Sequence, residues 1–377
     1  MIKEETKGGF LDYFEDLPDH RMVNKCRHSV SEILLLTICA FLSGAESWDD
    51  VEFYGYQKID YLRTKLAYEN GIPSDDTIRR FFRALDPSAF QERFTAWAKV
   101  MFGPDLVQQI AIDGKSLRGS RLGNEKALHL VGAYACEKGL LLAQKVTAEK
   151  SNEITAIPDL LDWLDLKGTL VSIDAMGCQT LIAEKILSKG GDYFFSLKGN
   201  QGSLHDSVRL FFEKLPKSVE TELFEDINKG HGRIEIRQVS VFHELDWLHK
   251  MHERWPHIET IIQINSKRII KGRVEEESRY FVSSRKLTAK NALQFSRAHW
   301  GIENGNHYIL DVSYKEDASQ IRMGNAPENM GIIRRVSLNL QKAMKAKYKR
   351  RSYKGMRKSA GWDNRFLDEI FDTNFMR

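Results

Sequence analysis

The sequence lacks any apolar run long enough to cross a membrane. No stretch approaches the roughly 20 apolar residues that a membrane-spanning helix needs. The first five residues are partly acidic and do not have the basic and then apolar order of a secretory signal. We therefore expect a cytoplasmic protein with no membrane partner.

Cysteine is scarce and the net charge is small. The 377 residues include only 4 cysteines, which are scattered without a CxxC pair, and no histidine cluster has zinc-finger spacing. This pattern indicates neither a disulfide framework nor a structural zinc. The formal net charge of +4 says little about a nucleic-acid partner, because a polyanion responds to local basic patches.

The chain does contain enough apolar residues for a large core. Hydrophobic residues make up 42% of it, which suits a folded protein of two or three structural units. Residues 1–105 have helical patterns and are predicted to form an N-terminal domain associated with DNA binding. One helix is expected over residues 29–42, which are nearly all apolar after a serine cap.

A basic helix is predicted after the Gly and Pro residues at 71–73. The segment TIRRFFRAL has an apolar face and a basic face, and the basic face comprises Arg79, Arg80 and Arg83. A turn followed by a basic helix suggests a helix-turn-helix unit that binds DNA. An ordinary surface helix of a bundle explains the same pattern.

Strand periodicity replaces helical periodicity from about residue 106. Residues 107–113 form an apolar strand that ends at Asp113, and a hairpin and a helix follow. Residues 169–174 form a second apolar strand, which ends at Asp174, before another helix and strand. This order predicts an α/β core with a mixed sheet.

The second half of the chain interrupts this rhythm and then returns to helices. Short alternating runs predict a mostly β insertion at about 202–285. A helix from about 289 to 308 carries Glu303, and the catalytic domain is expected to span 106–345. Residues 346–377 are predicted to form a basic tail.

Two acidic residues follow apolar strands at equivalent places. Asp113 precedes Gly114 and Asp174 precedes Ala175, so each carboxylate leaves a strand next to a small residue. If the strands are neighbours, the carboxylates can join a glutamate from a packed helix and hold metal ions, as two-metal phosphoryl transfer requires. Oxygen ligands of this kind suit Mg²⁺. A helix cap or a turn is the alternative role for either Asp alone.

Eight segments, in a fixed order, carry a family resemblance. In the first part of the chain they are LPDHR (17–21), HSVSEILLLTICAFLSGAESW (28–48), GIPSDDTIRRFFRAL (71–85) and AIDGKSLRGS (111–120). In the second part they are SIDAMGCQT (172–180), GGDYFFSLKGNQ (190–201), KGHGRIEIR (229–237) and HWGIENGNHYILDVSYKEDAS (299–319). Together they resemble the H-repeat-associated insertion-sequence transposases, whose catalytic domain belongs to the RNase H-like DDE group.

The resemblance implies that Asp113 and Asp174 are the first two catalytic acids and that Glu303 is the third. It also implies that they hold two Mg²⁺ ions, for which Mn²⁺ can substitute. Relatives usually carry Tyr, Arg and Lys at fixed positions around the Glu. Here those positions hold Ser296, His299 and Leu310. Acids in a following segment, expected to be loop or strand, stay open as alternatives for the third acid. They are Asp311, Glu316 and Asp317.

Two histidines are spaced evenly around Glu303. His299, Glu303 and His307 fall four residues apart, so a continuous helix would place them on one face. A zinc enzyme could use such a stripe, but its usual form is HExxH with a third ligand elsewhere. Contact with a DNA phosphate, orientation of the carboxylate and simple helix packing are the other roles considered for His299.

Further polar residues, four near the ends of core strands and two in the insertion, are candidate DNA contacts, although a solvated turn explains the first four and a hairpin turn explains the last two. These candidates are Lys115, Arg118, Lys198, Asn200, His231 and Arg233.

The segment 342–358 contains nine Lys or Arg residues and no acid. Dense basic charge of this kind favours a polyanionic partner, because Lys and Arg release counterions when they bind along a duplex. Lys349, Arg350 and Arg351 are the densest part, and neighbouring tyrosines could pack against sugar or base.

The resulting hypothesis is a Mg²⁺-dependent DNA transposase, nucleoid-associated in the cytoplasm, that cleaves insertion-sequence DNA and transfers its strands. Its partners would be double-stranded DNA, at the terminal repeats and at the target, and further copies of the same chain. One alternative is a nuclease with the same core, which would cleave without joining. Another is an inactive DNA-binding remnant.

Overall fold

The computed structural model describes residues 11–19, 21, 26–102, 107–121, 123, 126–147, 153–215, 219–230 and 232–375. Its α-helices are α1 (Val30–Ser43), α2 (Trp48–Arg63), α3 (Asp75–Ala84), α4 (Pro87–Phe102), α5 (Glu153–Asp162), α6 (Thr180–Ser188), α7 (Gly202–Glu213), α8 (Asp246–Met251), α9 (Ala289–His299), α10 (Tyr308–Tyr314), α11 (Ala326–Met344), α12 (Tyr353–Trp362) and α13 (Asn364–Phe375). Its strands are β1 (Gln109–Ser116), β2 (His129–Ala135), β3 (Leu140–Thr147), β4 (Leu170–Ile173), β5 (Asp192–Leu197), β6 (Glu222–Gly230), β7 (Arg233–Phe242), β8 (Thr260–Ile270) and β9 (Arg273–Ser283).

Helix α1 is the buried centre of the N-terminal region. Ser29 caps it, because the Ser29 hydroxyl accepts the Glu32 N–H at 3.1 Å and the Glu32 carboxylate accepts the Ser29 N–H at 2.9 Å. The helix ends at Gly44, whose φ of 117° favours glycine. Every residue from Ile33 to Leu42 is buried. The helix predicted from the apolar run and its serine cap is therefore confirmed.

The described strands form one mixed sheet in the order β3-β2-β1-β4-β5-β9-β8-β7-β6. β1 pairs antiparallel with β2 and parallel with β4, and β4 pairs parallel with β5. The predicted insertion extends this sheet, because β9 pairs antiparallel with β5 and β8, β7 and β6 follow in antiparallel order. The predicted fold class, an α/β protein with an RNase H-like mixed-sheet core, a helical N-terminal region and a mostly β insertion, is confirmed.

Side chains of β1 alternate between the two faces of the sheet. The Gln109 side chain donates to the Phe295 carbonyl of α9 at 2.9 Å, and Asp113 lies four residues further along the strand on the same face. Gly114 faces the other side, where any side chain would meet Glu153 of α5. Helix α9 therefore covers the face of the sheet that carries Asp113.

The first and last helices share one hydrophobic core with the sheet. α1 packs against α11 and α12, and α11 packs against α13. The segment predicted as a basic tail therefore folds as helices, and Arg357 shows how. Its guanidinium lies 4.5 Å from the centre of the Tyr314 ring and donates to the carbonyls of Phe41 and Ala45. The predicted domain limits stay predictions.

The connection before α3 does not match the predicted helix-turn-helix unit. Residues 64–74 join α2 to α3, whereas that unit has a turn of roughly three or four residues. α3 packs against α2 and α11. It is therefore a bundle helix with a basic outer face, the alternative that the sequence left open.

No single helix among the described residues is long and apolar enough to span a membrane. α1 and α2 satisfy that length and composition only as a pair, and they are bent by 97°.

Candidate active site

Asp113 and Asp174 extend from two paired strands. β1 and β4 are parallel, with Ile112 opposite Ile173, so the next residue of each strand lies at the same edge of their pairing. Asp113 Oδ1 accepts the Gly114 N–H at 2.8 Å. Asp174 Oδ1 accepts the Met176 N–H at 3.1 Å, and Asp174 thereby caps a short 3₁₀ turn. Asp174 thus has the capping role considered for it and also lies beside Asp113.

Glu303 approaches these acids from a helical segment. It begins a π-helical turn, Glu303–His307, that follows α9. Asp113, Asp174 and Glu303 line one cavity of about 160 Å³. The other lining residues are Ser172, Ile173, Phe194, Ser196, Lys198, Glu277, Arg279, Phe281, Ser296, His299 and Trp300. Acids that are far apart in the sequence therefore share one cavity.

The carboxylates in this cavity disfavour one another's ionisation. Burial raises the pKa of Asp113 to about 7. The hydrogen bond from the Gly114 N–H lowers this pKa, whereas the negative charges of Asp174 and Glu303 raise it further. Burial and the charge of Asp174 also raise the pKa of Glu303, which Arg279 partly offsets. The cavity therefore has an excess of negative charge that a bound cation would relieve.

The acids are not arranged as a closed metal cage. Within the described part of the chain, no group of three His, Cys, Asp or Glu side chains is placed to hold a metal ion. Mg²⁺ in proteins is commonly bound by one or two carboxylates together with water and substrate phosphates. The oxygen donors of this cavity and its negative charge therefore fit a divalent ion that binds together with a phosphate.

Replacing Asp113 by Asn should stabilise the protein in EDTA at pH 8. The raised pKa means that the fold holds the Asp113 proton more tightly than the unfolded chain does, so the free energy of unfolding falls as pH rises from about 4 to about 7. An asparagine in its place carries no such penalty, and we expect a gain of about 1–4 kcal/mol at pH 8 and none at pH 4. Denaturant unfolding at both pH values measures this. The exposed Asp60→Asn is the matched control, and an equal gain at both pH values would contradict the assignment.

The histidines on either side of Glu303 contact different strands. His299 Nδ1 lies 3.0 Å from Ser172 Oγ of β4, and His307 Nδ1 lies 3.6 Å from Asp113 Oδ2 of β1. Burial lowers the pKa of His299 to about 4 and the pKa of His307 to about 3, so both rings are neutral at pH 7. The continuous helix predicted over 289–308 is interrupted after His299, and the single stripe that a zinc site would have used is interrupted with it.

The π-helical turn fits closely over Tyr134 of β2. The Tyr308 N–H bonds to the Glu303 carbonyl, five residues back, which widens the helix at this point. A Cβ added to Gly305 would lie 2.7 Å from the Tyr134 hydroxyl oxygen, and one added to Gly301 would lie 3.4 Å from the same ring. Glycines on this segment therefore set how close Glu303 comes to the sheet.

Gly305→Ala should lower the free energy of unfolding by about 1–3 kcal/mol, because the added methyl overpacks against the Tyr134 hydroxyl. Tyr134→Phe removes that oxygen, so the double variant should recover most of the loss. Denaturant unfolding of the four proteins in this cycle gives the coupling between the two positions. An equal cost of the alanine with and without the hydroxyl would show that the contact is irrelevant.

The other acids considered for the third position belong to a separate cluster around Lys115. The Lys115 ammonium lies 2.7 Å from Asp311 and 3.2 Å from Asp317, and the Glu316 carboxylate lies 2.6 Å from the guanidinium of Arg335. Asp311 lies in α10, not in a loop or strand as predicted. Lys115 is buried, so its charge is balanced by acids inside the protein. Among the described residues, no Lys or Arg makes an ion pair of this kind with Asp113, Asp174 or Glu303.

The arginines predicted as DNA contacts in α3 lie on its outer face. Arg79 and Arg80 form ion pairs with Asp75 and Asp76 of the same helix, and Arg83 is exposed. Exposed pairs of this kind are weak, so a phosphate can compete for the guanidinium groups. The DNA contact predicted for these residues stays a prediction.

Two of the other predicted contacts adjoin the cavity. Lys198 lines it. Asn200 donates from Nδ2 to the Ala175 carbonyl at 2.6 Å and so holds the chain that follows Asp174. The structure therefore gives Asn200 a clear role in supporting the cavity wall.

The remaining predicted contacts near the core lie outside the cavity. Arg118 is exposed, with its Nε 3.5 Å from Asp317. Arg233 pairs with Glu235 at 3.1 Å at the start of β7. His231 lies outside the described residues.

Some basic residues near the C-terminus are exposed, whereas others contact aromatic rings. Lys349 and Arg350 are exposed. The guanidinium of Arg351 lies 4.8 Å from the centre of the Tyr348 ring, and Lys345 lies 5.3 Å from that of Tyr353. Tyr348 and Tyr353, the two tyrosines that were predicted to pack against DNA, therefore each contact a cation of the same chain.

Some cavity residues were not predicted from the sequence. Arg279 of β9 lies 5.1 Å above the ring of Trp300, and both line the cavity with Ser172. Trp300 lies in the same sequence motif as Glu303, HWGIE (299–303), and this proximity could have predicted that Trp300 lines the cavity. Arg279 lies in a charged segment of the insertion, RVEEESR (273–279), and only the pairing of β9 with β5 brings it to the acids.

The strand order and directions, with acids at the ends of two adjacent parallel strands, agree with the RNase H-like class of protein that the sequence predicts. Comparison with protein families agrees with this architecture. A family described as the transposase DDE domain matches residues 108–340, and a family described as DDE_Tnp_1-associated matches residues 11–98. The chain belongs to the DDE transposase family of insertion elements.

Several bacterial proteins are similar over most of the chain. YhhI of Escherichia coli (strain K12), an H repeat-associated protein whose assignment as a transposase is provisional, is 39% identical over 373 residues, which cover 96% of this chain and 97% of YhhI. YncI of Escherichia coli O157:H7, also assigned provisionally as a transposase, is 40% identical over 339 residues, 88% of this chain and 86% of YncI. A shorter relative, the inactive transposase YbfQ of Escherichia coli (strain K12), is 47% identical over 70 residues, 19% of this chain and 83% of YbfQ.

Among solved structures, a piggyBac transposase synaptic complex with hairpin DNA aligns with a TM-score of 0.42 and 10% identity, over 95% of this chain and 75% of that chain.

Proposed function

We propose that this chain is an active transposase that cleaves DNA at the ends of its insertion sequence and joins the freed ends to target DNA. The observation that carries the proposal is the cavity in which Asp113, Asp174 and Glu303 come together from two strands and a π-helical turn. DNA phosphodiesters are the substrate, and the reaction is phosphoryl transfer, first to water and then to a 3′-hydroxyl.

Asp113, Asp174 and Glu303 would hold two Mg²⁺ ions, or Mn²⁺ in their place. When bound, such ions supply positive charge next to the attacking and leaving oxygens of the phosphodiester. The protein's part is to present carboxylate oxygens in one orientation: the N–H groups of Gly114 and Met176 each hold one oxygen of an aspartate. Glu303 is oriented by the turn that packs over Tyr134.

The charges around the cavity suit a DNA strand. Lys198 and Arg279 line it beside the acids, and their cations can pair with phosphates on either side of the scissile bond. Arg83 and the C-terminal Lys349 and Arg350 are exposed and can extend the contact along a duplex. Two ends must be joined to one target, so we infer that further copies of the chain assemble on chromosomal DNA.

The test is a strand-transfer assay with the full chain and a labelled duplex that carries the element's terminal sequence, with a plasmid as target. Cleavage and joining are expected with Mg²⁺ and not with EDTA. Joining should be lost when a pre-cleaved end carries a 3′-dideoxy terminus, because the attacking hydroxyl is missing.

Three results would contradict the proposal in different ways. Cleavage without joining of a 3′-hydroxyl end would indicate a nuclease. Binding without cleavage in Mg²⁺ would indicate an inactive remnant. Cleavage that persists in EDTA would exclude a metal-dependent reaction.

A further inference from the structure

A chain of hydrogen bonds beside the cavity links the Phe295 carbonyl of α9, through β1 and β4, to His299 at the end of the same helix. The Gln109 side chain of β1 donates from Nε2 to the Phe295 carbonyl at 2.9 Å and lies 2.8 Å from Ser172 Oγ. Ser172 Oγ lies 3.0 Å from His299 Nδ1. Gln109 and Ser172 are buried, so water does not compete for these bonds.

The directions of the two bonds made by Gln109 follow from the Phe295 carbonyl. The Phe295 carbonyl can only accept, so the Gln109 amide must point its NH₂ group towards it. The second hydrogen of that NH₂ group is then donated to Ser172 Oγ. Ser172 accepts this bond with one lone pair, and its own hydrogen is then available to donate to His299 Nδ1.

With Ser172 as the donor, this chain assigns the ring hydrogen of His299 to one nitrogen. Nδ1 accepts a bond and is unprotonated, so the ring hydrogen of the neutral imidazole lies on Nε2. Burial, which lowers the pKa of His299 to about 4 against the opposing charge of Asp174, keeps the ring neutral at pH 7. The ring lines the same cavity as Asp174 and Glu303.

We propose that His299 presents a neutral Nε2–H donor to the active-site cavity, fixed by Gln109 and Ser172, and that a phosphate oxygen of the DNA strand accepts it. The phosphate contact rests on the proposed function, whereas the position of the ring hydrogen does not. A neutral donor suits this place, because a further cation in addition to Lys198 and Arg279 would compete with a bound metal ion for the carboxylates of Asp174 and Glu303. The N–H group can bind the phosphate without neutralising either acid.

The tautomer can be measured without any activity. In the full chain with ¹⁵N-labelled histidine, a two-dimensional ¹H–¹⁵N spectrum distinguishes a protonated ring nitrogen from an unprotonated one, and the His299→Gln spectrum assigns the signals. We expect His299 to show an unprotonated Nδ1 and a protonated Nε2 at pH 7. A hydrogen on Nδ1, or on both nitrogens, would overturn the proposal.

Variants of the chain test its origin. Ser172→Ala removes the donor to Nδ1, so His299 should lose its single tautomer. Ser196→Ala is the matched control, because Ser196 lines the same cavity without a bond to His299. An unchanged tautomer in Ser172→Ala would show that Gln109 and Ser172 do not fix it.

The phosphate contact is tested in the strand-cleavage assay. Loss of one preorganised donor typically costs a factor of about 100 or more, which is the loss expected for His299→Ala. His299→Gln can place an amide N–H near the position of Nε2 and should retain cleavage within about tenfold of the parent. Equal loss in both variants, or no loss in His299→Ala, would refute the contact. Failure of the parent to cleave would instead refute the proposed function and the contact with it, while the tautomer is judged by the spectrum alone.

Discussion

Glu303→Gln is expected to lower the rate of DNA cleavage by about 1,000-fold, because a carboxylate that positions metal ions contributes several kcal/mol to the transition state and each 1.36 kcal/mol is a factor of ten. Asp113→Asn and Asp174→Asn should lower it to a similar extent. The isosteric changes keep the shape of the cavity, so the loss should appear in the rate and not in the amount of folded protein. Cleavage of the terminal-sequence duplex, expressed per folded protein, measures this.

The acids after Glu303 provide the matched controls. Asp311→Asn and Asp317→Asn change carboxylates that are bound to Lys115, away from the cavity, and should leave cleavage of the folded protein within about tenfold, because no ligand of the transition state is removed. If Asp311→Asn lowered cleavage as much as Asp113→Asn while Glu303→Gln remained active, the third acid would be Asp311. This assignment stays a prediction until that comparison is made.

The second large effect is expected on stability, at the buried pair of Glu316 and Arg335. Glu316 is fully buried, with oxygens 2.6 and 3.3 Å from the Arg335 guanidinium and 3.9 Å from the Lys115 ammonium. Removing one partner leaves a buried charge uncompensated, so Glu316→Ala should lower the free energy of unfolding by about 3–5 kcal/mol. Denaturant unfolding at pH 7 gives the value.

Two comparisons make this prediction specific. The double change Glu316→Leu and Arg335→Leu should recover much of the loss, because buried ion pairs are often replaceable by apolar pairs. Glu276→Ala breaks the exposed pair with Lys267 and should cost less than about 1 kcal/mol. If the buried and the exposed changes had equal cost, the buried pair of Glu316 and Arg335 would not have the effect on stability that we expect.

The parts of the site that the sequence predicted are those fixed by strand ends. Asp113 and Asp174 each follow an apolar strand, and parallel pairing of β1 with β4 places them together. Side-chain alternation has a period of two residues, so a one-residue error in register would have moved either acid to the other face. The residues that precede both acids are buried on both faces of the sheet, so their apolar pattern does not fix this register, and the pairing of Ile112 with Ile173 in the structure supplies it.

The parts that the sequence did not predict depend on contacts between distant segments. The even spacing of His299, Glu303 and His307 indicates one helix face, and only the fit over Tyr134 reveals the π-helical turn. Lys115 follows Asp113 closely and was expected at DNA, but its partners lie in α10 and just beyond it. No local pattern predicts which distant carboxylate will neutralise a given lysine.

The dense positive charge near the C-terminus fits either DNA binding or packing against aromatic rings, and the sequence does not distinguish the two. The basic run predicts a polyanion partner, yet Arg351 and Arg357 pack against the rings of Tyr348 and Tyr314 in a helical region. Arginine side chains bury their planar groups against aromatic faces as readily as they bind phosphate. Lys349 and Arg350 remain exposed, so a salt-dependent DNA contact of this region is best sought there.

Anomalous diffraction from crystals of the full chain with a terminal-sequence duplex and Mn²⁺ would test the metal site directly. The proposed function predicts Mn²⁺ peaks bound to carboxylate oxygens of Asp113, Asp174 and Glu303, next to a DNA phosphate. Peaks at the Lys115 cluster instead, or a DNA phosphate in the cavity with no metal beside it, would contradict it.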